Sequence, residues 1–293
     1  MNPEHSMPSP LIDPRELVAP EARRNLVLID ARSGPGARAR YEERHLEGAL
    51  HVDLDQDLAS KPADPARGGR HPLPAPETFA ALLGRLGIGP DTRVAVYDDK
   101  SGANAASRFW WMLRAAGHED VRVLDGGLEA ALAAGIPAGT SGSRPAQRPA
   151  YPFERWMRPT ADVDEVARAA RDAGRLVIDV RDAVRYRGES EPIDPVPGHL
   201  PGAINVPFAS NLGPDGRFLP SEELARKYRA VLGEREPSEV IVHCGSGVTA
   251  CHTLLALEHA GLTGSRLYVG SWSEWCRSGR PIVKGASPGG EGT

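Results

Sequence analysis

The chain repeats itself once, and that constrains its fold more than any other feature. Leu28-Ile29-Asp30-Ala31-Arg32 returns as Leu176-Val177-Ile178-Asp179-Val180-Arg181. The stretch from His45 to Val52 returns as Gly198-His199-Leu200-Pro201-Gly202-Ala203-Ile204-Asn205-Val206. The run ending at Asp98 returns as the run ending at Cys244, and Leu124-Asp125-Gly126-Gly127-Leu128 as Tyr268-Val269-Gly270-Ser271-Trp272. The four offsets, 149, 154, 146 and 144, differ only by loop-sized insertions, so one supersecondary plan is used twice. Within each copy, short aliphatic runs such as Leu26 to Asp30 and Arg93 to Tyr97 read as buried strands. Stretches of helical period lie between them; over 76–86, Phe79, Leu82, Leu83 and Leu86 share one face. Alternating strands and helices predict an α/β fold with parallel sheets covered on both sides.

A length of 293 residues suffices for two such domains. We expect the first over 10–136 and the second over 161–284. The Pro, Gly, Ser and Arg of 137–160 read as a linker, and 1–10 and 285–293 as loose tails. The net charge of −4, without a lysine-rich run, argues against nucleic acid or an anionic membrane as partner. Three cysteines make no disulfide framework, and none has a zinc-like pairing. With no apolar signal core and no membrane-length apolar window, a reducing cytoplasmic location is expected.

The chemistry concentrates at Cys244. Val240-Ile241-Val242 reads as a strand, Gly245 and Gly247 break it, and a helix is expected from Val248 onward. Cys244 therefore sits at the carboxyl edge of a sheet, where α/β domains bind ligands. Inward-pointing amides of a glycine turn and a helix N-terminus both favour a thiolate there. A buried structural cysteine is the plainer alternative. The first copy carries Asp98 at this place and cannot do thiol chemistry.

The heptad Cys244-Gly245-Ser246-Gly247-Val248-Thr249-Ala250 resembles the active-site loop of the rhodanese superfamily, and more narrowly that of its 3-mercaptopyruvate sulfurtransferases. The resemblance covers about 10–282. It implies two tandem rhodanese-like domains, the first catalytically silent and helping to close the site. It also implies Cys244 as nucleophile and persulfide carrier, with the loop residues Gly245, Gly247, Val248 and Thr249 around the substrate. A small-molecule sulfur donor, a thiol acceptor such as thioredoxin, or cyanide, and no metal or organic cofactor belong to the same implication.

Ser246 is either a turn residue or a hydrogen-bond partner of the sulfur, and the resemblance favours the second. Asp55 and His71, read alone, are a loop acid and a capping histidine. The resemblance puts them at the domain interface, where an Asp–His pair near a serine can relay a proton. Arg185 stands in a run of charges, and the resemblance makes it the arginine that holds the anionic end of the substrate. The family's second arginine follows a Glu-Pro pair; here Glu191-Pro192 leads into Ile193 and Asp194. Arg187 is the substitute nearest in sequence.

Three other functions compete with transfer from 3-mercaptopyruvate. Thiosulfate as donor would suit basic residues after the cysteine, but Gly245 and Ser246 are neutral. A cysteine phosphatase would need an arginine where Ala250 stands. A non-catalytic persulfide carrier would keep Cys244 without turnover of small donors.

Overall fold

The computed structural model describes residues 9–140, 142–143 and 145–290. The outer parts of both expected tails, and positions 141 and 144 of the expected linker, lie outside the described residues. Two five-stranded parallel sheets form the two halves. In the first, the order is Leu11–Ile12, Val121–Leu124, Arg93–Tyr97, Leu26–Asp30 and Leu50–His51. In the second it is Thr160–Ala161, Arg266–Tyr268, Val240–His243, Leu176–Asp179 and Ile204–Asn205. Strand for strand the two orders are the same, so the repeat read from the sequence is a repeat of topology.

The repeat extends to buried polar groups. Asp30 pairs with Arg32 at 2.7 Å and Asp179 with Arg181 at 2.6 Å, each pair at the end of the strand beside the central one. Beside each pair a tyrosine stacks on a histidine: Tyr41 on His45 at 4.0 Å and Tyr186 on His199 at 3.7 Å. Such pairs are retained only with their partners in place, since a buried charge without one is costly.

The halves meet through equivalent helices. Ala106–Ala115 follows the Asp98 loop, Ala250–His259 follows the Cys244 loop, and the two pack together. Every residue over 250–257 is buried. A helix covered all round needs a second layer beyond its own sheet, and the other domain supplies it. One apolar cluster accordingly runs through both halves, from Phe109 and Trp110 to Leu254 and Leu255.

The Pro-rich connection is docked on the first domain at several of its described residues. Ala138–Gly139 pairs with His45–Leu46, Tyr151 N–H donates to the Ala80 carbonyl at 3.0 Å, and Phe153 and Trp156 pack on Phe79. The aromatic residues within 151–156 carry apolar area that a count of prolines and glycines hides. Part of the C-terminal segment expected to be loose is also docked: the Pro288 carbonyl accepts from Gly202 N–H at 2.7 Å, and the Ser287 carbonyl lies 3.1 Å from His199 Nε2.

Candidate active site

The first half shows what the loop geometry can hold. The Asp98 carboxylate accepts four backbone N–H groups, from Lys100 and Gly102 at 2.8 Å, Asn104 at 3.0 Å and Ala106 at 3.1 Å. Burial pushes this carboxyl up, and the amides oppose that shift. The loop after a central strand is thus a cradle for an anion. At the equivalent strand end Cys244 is buried, 3% exposed. Its loop is pinned from behind, with Trp272 N–H donating to the Cys244 carbonyl at 3.0 Å and Ser273 N–H to the Gly245 carbonyl at 2.9 Å. The amides of Gly245, Ser246, Gly247, Val248 and Thr249 find no acceptor among the described residues. Gly247 has φ of 73° and its Cα faces the Val269 carbonyl so closely that no Cβ fits. Thr249 Oγ1 reaches the Ala103 carbonyl of the other half at 3.4 Å.

Asp55, His71 and Ser246 come together. His71 Nδ1 lies 2.8 Å from Ser246 Oγ, and His71 Nε2 lies 3.1 Å from Asp55 Oδ1. Burial holds the His71 imidazole below its ordinary pKa, outweighing the pull of Asp55. It is therefore neutral at pH 7, with one nitrogen to donate and one to accept. The segment carrying His71 is docked on the second domain. Gly68 N–H donates to Glu274 at 2.8 Å, Arg70 N–H donates to Ser273 Oγ at 3.1 Å, and Gly69 lies directly against the Gly270 backbone.

The arginines divide. Arg185 is gripped by Glu191, through Nε at 3.1 Å and Nη2 at 2.6 Å. Buried Arg181 holds Glu191 from the other side at 3.3 Å. Arg187 turns instead to Glu189, at 2.6 and 2.9 Å, a third exposed. Ile193, at the family's second arginine position, is 57% exposed. The cation that stands with Arg185 at the Cys244 loop is Arg70, which sequence reasoning missed.

Arg108 was missed as well. It is fully buried and donates to the Gly247 carbonyl at 3.0 Å, the His71 carbonyl at 3.0 Å and the Leu58 carbonyl at 3.4 Å. Among the described residues no carboxylate pairs with it. One residue of the first domain thus ties the Cys244 loop to the backbone of His71. A charge at the head of the apolar run Phe109-Trp110-Trp111-Met112-Leu113 was the available signal. Of the other cysteines, Cys251 is fully buried and burial pushes its thiol up to about 12. Cys276 is buried and its thiol is also raised by desolvation. Neither environment favours a thiolate.

Comparison with known proteins agrees with this architecture. A model of the rhodanese-like domain matches the chain twice, over 13–134 and 162–278. A probable 3-mercaptopyruvate sulfurtransferase of Pseudomonas aeruginosa is 43% identical over 283 residues, covering 94% of this chain and 98% of its own. A putative thiosulfate sulfurtransferase of Mycobacterium tuberculosis is 38% identical, covering 86% of this chain and 88% of its own. The structure of 3-mercaptopyruvate sulfurtransferase from Leishmania major matches with a TM-score of 0.80 at 31% identity, over 95% of this chain and 77% of that one. The chain belongs to the rhodanese family, as a sulfurtransferase with two such domains in tandem.

Proposed function

We propose that this protein moves sulfane sulfur from 3-mercaptopyruvate to a thiol through a persulfide on Cys244. The observation that carries the choice of donor is the Asp55–His71–Ser246 chain beside the Cys244 loop. When a thiolate takes sulfur from mercaptopyruvate, the carbon–sulfur bond breaks and its electron pair stays on carbon as the enolate of pyruvate. That enolate needs a proton. Sulfite leaving thiosulfate is a stable anion and needs none, so a proton relay serves only the first reaction.

In the proposed sequence, Arg185 holds the substrate carboxylate and Cys244 thiolate attacks the sulfur. As the carbon–sulfur bond breaks, neutral His71 takes the proton of the transferred sulfur through Ser246, Asp55 offsets the charge it gains, and the proton returns through Ser246 to the enolate carbon, leaving an anionic persulfide. Loop amides around Gly245, Gly247, Val248 and Thr249 stabilise the anionic sulfur. A thiol such as thioredoxin then attacks the outer sulfur and frees Cys244. The work divides between a silent domain at 10–136, the connection at 137–160 and a catalytic domain at 161–284. Among the described residues no helix is long and apolar enough to cross a membrane, and a stored persulfide suits the reducing cytoplasm.

A mycobacterial relative named for thiosulfate keeps that donor as the second reading. Donor comparison with one acceptor separates the two. His71→Gln is expected to lower kcat with mercaptopyruvate by about 10²-fold or more while changing thiosulfate turnover less than about threefold. Because burial lowers the His71 pKa, its acid limb falls below the ordinary value of 6.5. Mercaptopyruvate kcat should be flat above that pH and fall as the pH drops through the lowered pKa, where His71⁺ no longer accepts from Ser246. Equal losses with both donors would contradict the relay.

A further inference from the structure

We infer that Arg108, sent across from the first domain, is a positioning residue for the anionic sulfur of Cys244. It holds the Gly247 carbonyl from outside the loop, aims the Val248 amide inward, and sets a fixed positive charge beside the sulfur. The inference rests on Cys244 as the reacting group and holds for either donor.

A trans peptide points its C=O and the next N–H in opposite directions, and among the described residues no peptide bond is cis. Trp272 and Ser273 hold the Cys244 and Gly245 carbonyls, and so turn the Gly245 and Ser246 amides the other way. The Gly247 carbonyl is held differently. Its donors are side chains, Arg108 Nη1 at 3.0 Å and the Cys251 thiol at 3.4 Å. The peptide fastened in this way carries the Val248 amide.

The repeat indicates where that amide points. Counted from the strand ends, Asp98 and Cys244, Val248 matches Gly102. The residue before each takes a left-handed φ, 53° at Ser101 and 73° at Gly247. Counted back from the helix starts, Ala106 and Ala250, Val248 matches Asn104. Both of these amides donate to the Asp98 carboxylate, at 2.8 and 3.0 Å. On either count the Val248 N–H faces the side chain of residue 244.

The two interface helices also exchange side chains. Arg108 is the third residue of Ala106–Ala115, and His252 is the third of Ala250–His259. Arg108 reaches the Cys244 loop, and His252 lies against the Asp98 loop, 3.7 Å from a Cβ placed on Gly102. They differ in charge. Burial pulls the His252 imidazole down to about 3, so it is neutral, whereas a guanidinium stays protonated. The Asp98 loop, which does no chemistry on sulfur, thus meets a neutral partner, and the Cys244 loop meets a cation. A buried cation needs an anion near it. No carboxylate among the described residues pairs with Arg108, and the sulfurs of Cys251 and Cys244 are the groups whose ionisation would favour its charge. Burial keeps the Cys251 thiol neutral, which leaves Cys244.

The test is the pH profile of Cys244 alkylation by iodoacetamide, read on the peptide that carries it. The unaltered protein is compared with Arg108→Gln, which keeps a donor and loses the charge, and with Arg108→Lys, which keeps the charge. Other ionisable groups face the loop: Arg70 and Arg185 over Gly245, and His71 at Ser246. At the strand ends stand His243, with Asp179 3.7 Å from it, and Arg181. All are retained in both variants, so a shift reports on position 108. Arg108→Gln is expected to raise the midpoint by about one pH unit or more, about a tenfold loss of rate below the midpoint, with the high-pH plateau changed less than about threefold. Arg108→Lys should stay within about half a unit of the unaltered protein. An unmoved midpoint in folded Arg108→Gln, or equal shifts in both variants, would overturn the assignment and leave Arg108 as a support of the interface. If Arg108→Gln does not fold, Arg108→Lys decides, and a shift of about one unit or more with the charge kept would contradict it. Failure of the Cys244 reading looks different, because the unaltered protein, fully alkylated at Cys244, would then still transfer sulfur.

Discussion

Cys244→Ser is expected to lower sulfur transfer by at least about 10³-fold, whichever donor is supplied, without changing the melting temperature appreciably. Serine fills nearly the same volume in the same loop, so Trp272 and Ser273 keep their bonds to the loop carbonyls. What it lacks is the chemistry. A serine hydroxyl is not ionised at neutral pH even in a cradle of amides, and an oxygen cannot store sulfane sulfur as a persulfide. Cys251→Ser and Cys276→Ser should keep most of the activity, because both thiols are held neutral by burial away from the loop amides. The Asp98 loop is the internal control. Its four N–H bonds to one carboxylate show that the shared strand–loop–helix plan binds an anion whether or not a sulfur is present.

Arg108→Leu is expected to damage stability and transfer together. The substitution leaves the carbonyls of Gly247, His71 and Leu58 without their buried donor. Each unsatisfied acceptor costs roughly 1–3 kcal/mol, partly offset because a guanidinium no longer has to be desolvated. A net loss of about 2 kcal/mol is a shift of several degrees in melting temperature for a chain of this size. Turnover should fall further than that loss implies. Arg108 fastens the Cys244 loop and the His71 backbone to one helix, and a misplacement of about 1 Å between reacting groups costs on the order of 10²-fold. Thermal melts beside donor kinetics at a temperature where the variant is folded separate the two effects. A variant that is less stable but fully active would reduce Arg108 to a packing residue.

The fold was legible because the repeat is legible. An acid ending a strand, a His-Leu turn and a Gly-rich turn recur in order, and each marks a strand end rather than a generic apolar run. The two-residue strands Leu11–Ile12 and Thr160–Ala161 were not readable, since two residues carry no period. The helix Ser221–Leu232 was passed over although Leu224, Tyr228 and Leu232 recur at helical spacing and are buried. Its many charges mask the stripe, and its counterpart Pro76–Arg85 would have pointed to it.

The site was legible only in part. Cys244 and Ser246 lie in one loop, so local order suffices to find them. His71 and Ser246 are 175 residues apart, and nothing local says that they touch. The resemblance, not the residues alone, linked them. Arg70 and Arg108 escaped because their meaning depends on how one domain docks on the other. Arg187 was named for its nearness in sequence to Arg185, but on the short helix Ala183–Tyr186 and the turn after it the two side chains point to different partners, Glu191 and Glu189.

The most direct test of the whole account is the mass of the protein after treatment with mercaptopyruvate and removal of excess donor, followed by peptide mapping. The account predicts one added sulfur atom per chain, located on the peptide that carries Cys244, lost on addition of a thiol and absent in Cys244→Ser. An added sulfur that persists in Cys244→Ser, or that maps to Cys251 or Cys276, would contradict it.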